Sequence, residues 1–262
     1  MAAQSKDNWS SEAYQNAASF VPKLATQVVQ WLDVQKDDAI LDIGCGDGVL
    51  DLQFARVLAQ GTGRLHGVDS SAAMITAAGK AAADAHFTNC TFEVLDCNDL
   101  VDRPALQQGQ FTKAFSNAAM HWILRPAEKL FRGVHAALRP GGVFAFEMGG
   151  LGNVAELVTG IVAGVSRRIG LAAAQAANPW FFPDETWIRA TLEGSGGGWR
   201  IERVERVWRP TPADAFLDAI PDAAEREACT REVVALLEAT TRQPDGSYNL
   251  NYVRLRVLAR KL

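Results

Sequence analysis

Residues 39–48 read Ala-Ile-Leu-Asp-Ile-Gly-Cys-Gly-Asp-Gly, a short apolar run broken by Asp42 and leading straight into glycines at 44, 46 and 48. A run of this length bounded by turn residues predicts a buried strand. The glycines let the chain turn sharply and let a ligand approach the backbone with no Cβ in the way. The helix expected from Val49 to Ala59 would offer unpaired N–H groups at its start. A dinucleotide site uses such groups to hold a pyrophosphate, with G-x-G-x-x-G spacing. Here the spacing is G-x-G-x-G, with Asp42 before the turn and Asp47 inside it. Two carboxylates at that place would repel a pyrophosphate and suit a ligand carrying a cationic amine and a sulfonium. Charge therefore favours S-adenosylmethionine over a nicotinamide dinucleotide.

Outward from the turn, short apolar runs alternate with helical patterns up to about Gly150, the signature of βαβ units and a parallel sheet. A helix is expected over Val21 to Leu32 and strands over Arg64–Val68, Thr91–Leu95, Phe111–Phe115 and Val143–Phe146. Asp69-Ser70-Ser71 closes the second strand and supplies cap residues for the next helix, while Arg139-Pro140-Gly141-Gly142 closes a helix from Ala127 to Leu138. Each strand ends in polar or small residues, where open α/β sheets bind ligands. After Gly150 the rhythm changes to a long helix over Asn153–Gly170, an aromatic knot at Trp180-Phe181-Phe182, and a helix capped by Asp184. Two alternating segments, Trp199–Trp208 and Tyr252–Ala259, read as closing strands on either side of a helical stretch over Thr211–Ala239.

The bulk composition narrows the function. A chain of 262 residues, 48% hydrophobic and 21% charged, can bury one sizeable core. Its net charge of −4 and lack of a Lys/Arg block argue against nucleic acid as partner. Cys45, Cys90, Cys97 and Cys229 show no metal-binding spacing and suit free thiols in a reducing compartment. With no apolar leader run and no membrane-length apolar stretch, the expectation is a cytoplasmic protein without membrane attachment or metal.

The ordered segments ILDIGCGDG, GVDSS, LDCND, SNAAMHW, LRPGGVFAFE and YVRLRVLA resemble the motifs of the class I S-adenosylmethionine-dependent methyltransferases, across most of the chain from about Trp9 to Leu258. SNAAMHW followed by FEMGGLGNV is similar to the trans-aconitate methyltransferase-like group, within the type 11 and type 25 methyltransferases. The resemblance implies an α/β fold with a doubly wound, seven-stranded, mostly parallel sheet and helical lid insertions. It divides the chain into a cofactor-covering segment (1–36), a cofactor-binding core (37–150), a lid insertion with a core helix (151–198) and closing strands with a second insertion (199–262).

It also implies roles. Gly44, Cys45, Gly46 and Gly48 would pack on the methionine part of the cofactor, with Asp42 supporting its amine. Asp69, with Ser70 beside it, would hold the ribose, and Asp96 with Cys97 the adenine. Asn117 would approach the methionine moiety, and Trp9 and Tyr14 would lie over the cofactor.

Blander readings stand beside these. Asp69 also fits a helix cap, and Asp96 and Asn117 fit turn residues. His121 and Trp122, just past the fourth strand, face the expected substrate mouth; His121 fits a general base or a packed loop residue. If a carboxylic acid is the acceptor, Arg125, Arg167, Arg168 or Arg189 would be placed to pair with its remaining carboxylates. The expected partner is a small-molecule methyl acceptor, and the expected state a monomer or homodimer. The rivals are a protein or RNA methyltransferase, a non-catalytic protein that binds the same cofactor, and a nicotinamide oxidoreductase.

Overall fold

The computed structural model describes residues 26–124, 127–194, 198–212, 223–244 and 249–262. Trp9, Tyr14 and Arg125, the first part of the expected leading helix and residues 213–222 of the helix expected from Thr211 lie outside them, while Thr211 and Pro212 end a strand and not a helix.

The elements follow the sequence pattern closely: α1 (Thr26–Leu32), β1 (Ala39–Ile43), α2 (Val49–Leu58), β2 (Arg64–Asp69), α3 (Ala72–Asp84), β3 (Cys90–Val94), β4 (Phe111–Asn117), the single turn α4 (Met120–Ile123), α5 (Ala127–Ala137) and β5 (Leu138–Gly149). Then come α6 (Ala155–Ile169), α7 (Leu171–Ala176), α8 (Glu185–Glu193), β6 (Trp199–Pro212), α9 (Ala223–Thr241) and β7 (Asn249–Lys261). The strands form one seven-stranded sheet in the order β3-β2-β1-β4-β5-β7-β6. β1 pairs in parallel with β2 (Ile40 opposite Leu65) and with β4 (Leu41 opposite Ala114), which explains why its five residues are all buried and read as a continuous run.

Two of the helices start on the expected side-chain caps. Ser71 Oγ accepts from Met74 N–H at 3.2 Å to start α3, and Asp184 Oδ1 accepts from Trp187 N–H at 2.8 Å to start α8. α2 lays Leu50, Phe54, Ala55 and Leu58 against the sheet, where Phe54 meets Phe115 edge to face at 5.0 Å.

The expected helix stop at Arg139–Gly142 is corrected in detail. α5 ends at Ala137, and the four residues interrupt the start of β5. Phe111 pairs with Leu138 and Lys113 with Val143, so the residues between are looped out of register. Pro140 has no N–H to give the ladder, and Gly141 sits at φ +76, a conformation that glycine tolerates. The strand expected at Val143–Phe146 is correspondingly longer.

Two compact units are present. The first comprises the chain up to Met148 with Pro183–Glu205 and Leu255–Leu262, and the second comprises Gly149–Phe182 with Arg206–Arg254. The first is centred on Val28, Leu32, Ile40, Phe54, Leu65 and Phe115. The second packs Val154, Leu157 and Leu250 with Phe182, Leu237 and Tyr252. Within it Gly160 of α6 lies beside Val233 and Leu237 of α9, and Arg168 meets Glu232 at 3.3 Å. The rings of Trp180 and Phe182 lie nearly parallel, 6.1 Å apart.

Candidate functional site

The strand order reverses between β1 and β4, and open α/β sheets bind ligands beyond the carboxyl ends of the strands at that point. A cleft with about 390 Å³ of open space lies there, lined by Asp42, Gly44, Gly46, Asp47, Phe115 and Asn117 among others. Its floor is the glycine turn. Gly44 and Cys45 donate their N–H groups to Val68 O at 2.8 and 3.1 Å, which ties the turn to β2. Gly44, Gly46 and Gly48 all have positive φ, of +70, +59 and +78. A Cβ at Gly44 would stand 2.3 Å from Ala119 Cβ, whereas one at Gly46 would meet nothing within 4 Å. Gly44 is thus a packing glycine, and Gly46 leaves an open face for a ligand.

Asp69 organises the turn from the end of β2. Its Oδ2 accepts from Gly46 N–H at 3.0 Å and its Oδ1 from Ser71 N–H at 2.9 Å. The Gly46 N–H is therefore committed to a carboxylate and is not offered to a phosphate. A carboxylate oxygen can accept more than one hydrogen bond, so Asp69 has the chemistry to take a hydroxyl donor. Ser70, between the two contacts, is exposed.

Below the turn lie two buried carboxyls that face each other, Asp42 on β1 and Asp51 in the first turn of α2. Burial pushes the Asp42 carboxyl well above the usual carboxylate range, and the neighbouring Asp51 and Asp69 charges push it further. Asp51 is raised to about 7 by burial, with Asp47 adding to the rise. Asp42 Oδ1 and Asn117 Oδ1 are buried and have no hydrogen-bond partner among the described residues, and both residues line the cleft. Two orphaned acceptors call for a multivalent donor, which an ammonium group is. The methionine end of S-adenosylmethionine fits this acceptor set: Asp42 and Asn117 would hold its ammonium, and Asp69 its ribose hydroxyls.

The remaining expected residues are placed as follows. Asp96 is exposed and caps the short 3-10 turn Cys97–Asp102 by accepting from Asn98 N–H at 2.9 Å. Cys97 is buried, and burial first, then Asp69, raises its thiol far above the ordinary range. Cys45 is raised in the same way, so neither is a thiolate at neutral pH. His121 is buried on α4, its ring 5.7 Å from that of Trp122. Arg167 and Arg168 both pair with Glu232, and Arg189 pairs with Glu193. Among the described residues, no cluster of three or more His, Cys, Asp or Glu is placed to hold a metal ion, and no helix is long and apolar enough to cross a membrane.

The model of a methyltransferase domain matches residues 34–164. An uncharacterized methyltransferase of Schizosaccharomyces pombe is 34% identical, over 98% of this chain and 99% of its own. The chain belongs to the class I S-adenosylmethionine-dependent methyltransferases. Also similar to it is a trans-aconitate 2-methyltransferase of Methylobacterium nodulans, 26% identical over 97% of this chain and 98% of that protein. In fold it matches a geranyl diphosphate C-methyltransferase of Streptomyces coelicolor A3(2), solved with S-adenosyl-L-homocysteine, Mg2+ and geranyl diphosphate. That TM-score is 0.55 at 17% identity, covering 98% of this chain and 86% of that one.

In this methyltransferase the motif residues supplied the glycine turn, Asp42, Asp69 and Asn117, but sequence reasoning missed Asp51 and Ala119. Asp51 carried a legible signal. With Leu50, Phe54, Ala55 and Leu58 it falls on the buried stripe of α2, where a carboxyl is out of place. Ala119 carried none, since a small residue in a loop says nothing of what packs on it.

Proposed function

We propose that this methyltransferase moves the methyl group of S-adenosylmethionine to a carboxylate oxygen of a small polycarboxylic acid. The observation that carries the cofactor placement is the pair of buried acceptors, Asp42 Oδ1 and Asn117 Oδ1, that line the cleft at the sheet's reversal point and have no partner among the described residues. The acceptor class is supported by the similarity to a trans-aconitate 2-methyltransferase over nearly the full length of both chains. The chain's own charge of −4 disfavours a nucleic-acid substrate.

Bound in the cleft, the cofactor supplies an electrophilic methyl on a sulfonium. The protein's part is placement and exclusion of water. Asp42 and Asn117 fix the ammonium, Asp69 fixes the ribose and holds the turn through Gly46, and the open face of Gly46 lets the ligand lie against the backbone. Placement of this kind is worth about 7–11 kcal/mol. A carboxylate acceptor, with a pKa of about 4, is already ionised at neutral pH, so no side chain need remove a proton. His121, buried on α4, then serves the packing of the loop after β4 and not proton transfer.

The test is transfer of labelled methyl from S-adenosylmethionine to a panel of di- and tricarboxylic acids, alcohols, phenols and amines. Base-labile label on the polycarboxylic acids is expected. Label confined to a hydroxyl or amine acceptor would sink the acceptor assignment.

A further inference from the structure

The mechanism above uses Asp42 and leaves Asp51 without a task, although Asp51 is the more deeply buried of the two. Its side chain lies wholly inside the protein facing Asp42, and among the described residues neither of its oxygens has a donor from an amide, hydroxyl or cation. Two carboxyls can hydrogen-bond only if a proton lies between them. Among the described residues, the groups that face the pair do not relieve it. Asp47 and Cys45 stand on the turn, Asp69 at the end of β2, Cys90 on β3 and Cys97 beyond it, and the charged ones among them are negative. An ionised pair in that setting would be two buried like charges.

We propose that Asp51 is a positioning residue that shares a proton with Asp42 in the free methyltransferase, and that the cofactor's ammonium displaces this proton on binding. The inference rests on the cofactor placement proposed above. The exchange balances. The O–H bond of the pair breaks with its electrons remaining on oxygen, the proton passes to the buffer, and an N–H of the ammonium takes over the freed acceptor. One positive charge leaves as another arrives, so the cluster keeps its net charge, and the two carboxylates are tolerated together only when the cofactor is present. Asp51 acts through Asp42: it lowers the cost of the bound state by supplying the second carboxylate behind the ammonium, and in the free state it keeps Asp42 from standing as a lone buried charge.

The test is calorimetric titration of the full chain with S-adenosylhomocysteine at several pH values between 6 and 7.5, each in buffers of different ionisation enthalpy. The apparent heat then counts the protons released. About one proton should leave per ligand, and the dissociation constant should rise up to about ten-fold per unit fall in pH. Asp51→Asn should abolish most of the release and flatten that pH dependence, because the Asn amide can donate to an ionised Asp42. Asp51→Ser, which also carries a donor, serves the same purpose should the first variant not fold. Tight binding with no proton release, or the same release in the variants, overturns the role given to Asp51 while leaving the cofactor placement intact. No binding of the ligand by the wild-type chain overturns both.

Discussion

Gly44 and Ala119 are in contact closely enough that a methyl group at position 44 would lie 2.3 Å from the Ala119 Cβ. The contact joins the turn after β1 to the loop after β4 across the point where the sheet order reverses. It sets the width of the cleft floor, and two independent constraints make glycine obligatory: the close approach, and a backbone φ of +70.

Gly44→Ala is therefore expected to do more than strain one residue. The left-handed conformation costs about 1–2 kcal/mol for a residue with a side chain, and overpacking adds about 1–3 kcal/mol. The turn can relieve this only by moving away from Ala119, which carries Gly46 and its bond to Asp69 with it. Cofactor binding should be lost while far-UV circular dichroism stays native. A variant that binds S-adenosylhomocysteine as tightly as wild type would show that the contact does not shape the cleft. Ala119→Gly in the same background makes room and should restore part of the affinity.

Asp69 carries the turn by a different route. Its two oxygens take the N–H groups of Gly46 and Ser71. Asp69→Ala leaves both amides without that acceptor, and hydrogen bonds to a charged group are worth about 1.5–3 kcal/mol each. Affinity for S-adenosylhomocysteine should fall by about ten-fold or more. Asp69→Asn keeps one acceptor oxygen and should fall between the variant and wild type in a titration.

How much of this was legible in the sequence differs from residue to residue. β1, buried on both faces, had to be a short apolar run, and the turn after it had to be glycine wherever φ is positive, so both showed plainly. Asp42 stood out because a carboxylate beside the glycine turn suits a cationic ligand, and Asp69 because it closes β2 where a ribose would lie, although it also fits a helix cap. Asp51 did not stand out, because an acid in a helix's first turn complements the helix dipole and is unremarkable there. Only its place on the apolar stripe of α2 betrays it. The Arg139–Gly142 segment carried a stop signal that sequence alone could not resolve into a helix end followed by a loop within the next strand. The second unit was read as helices, an aromatic knot and parts of two strands without their packing, since what α6 and α9 pack against depends on contacts far apart in the chain.

The buried pair below the turn gives the stability of the free protein a pH dependence with a definite sign. Asp51 is raised by burial to about 7. A carboxyl whose folded pKa lies above its unfolded value makes the folded state hold more protons, so its contribution to stability is present at low pH and lost as pH rises towards 7 and beyond. His66 and His135 act in the opposite sense, because burial lowers both and their contribution is lost as pH falls through the usual histidine range. Comparison of wild type with Asp51→Asn cancels the histidines. The melting temperature of the variant minus that of wild type should become more positive from pH 5 to pH 8 in differential scanning calorimetry. A difference that is flat, or that shrinks, contradicts a raised Asp51.

Glu147, at the end of β5, accepts from Arg256 Nε at 2.5 Å, and Arg256 Nη1 reaches Glu205 at 2.8 Å. Burial works against the guanidinium charge, yet the two carboxylates outweigh it and hold Arg256 above its ordinary value. The Glu147 side chain is only 2% exposed, and its backbone oxygen accepts from Ala118 N–H at 2.8 Å, beside the Ala119 that seats Gly44. Breaking a buried pair by removing one partner typically costs about 3–5 kcal/mol, because the other charge stays buried. Arg256→Met should therefore destabilise the protein by about that amount in urea unfolding. Replacing both residues, Arg256→Met with Glu147→Leu, removes the stranded charge and should recover much of the loss. Glu147→Gln alone should cost less than Arg256→Met, since the amide oxygen still accepts from the guanidinium. If the double variant is no more stable than Arg256→Met, the cost lies in the packing of the arginine stem and not in the charge left behind. Because Ala118 hangs on the Glu147 backbone and not on its side chain, the double variant should still bind S-adenosylhomocysteine, which separates the strand's structural ion pair from the cleft it borders.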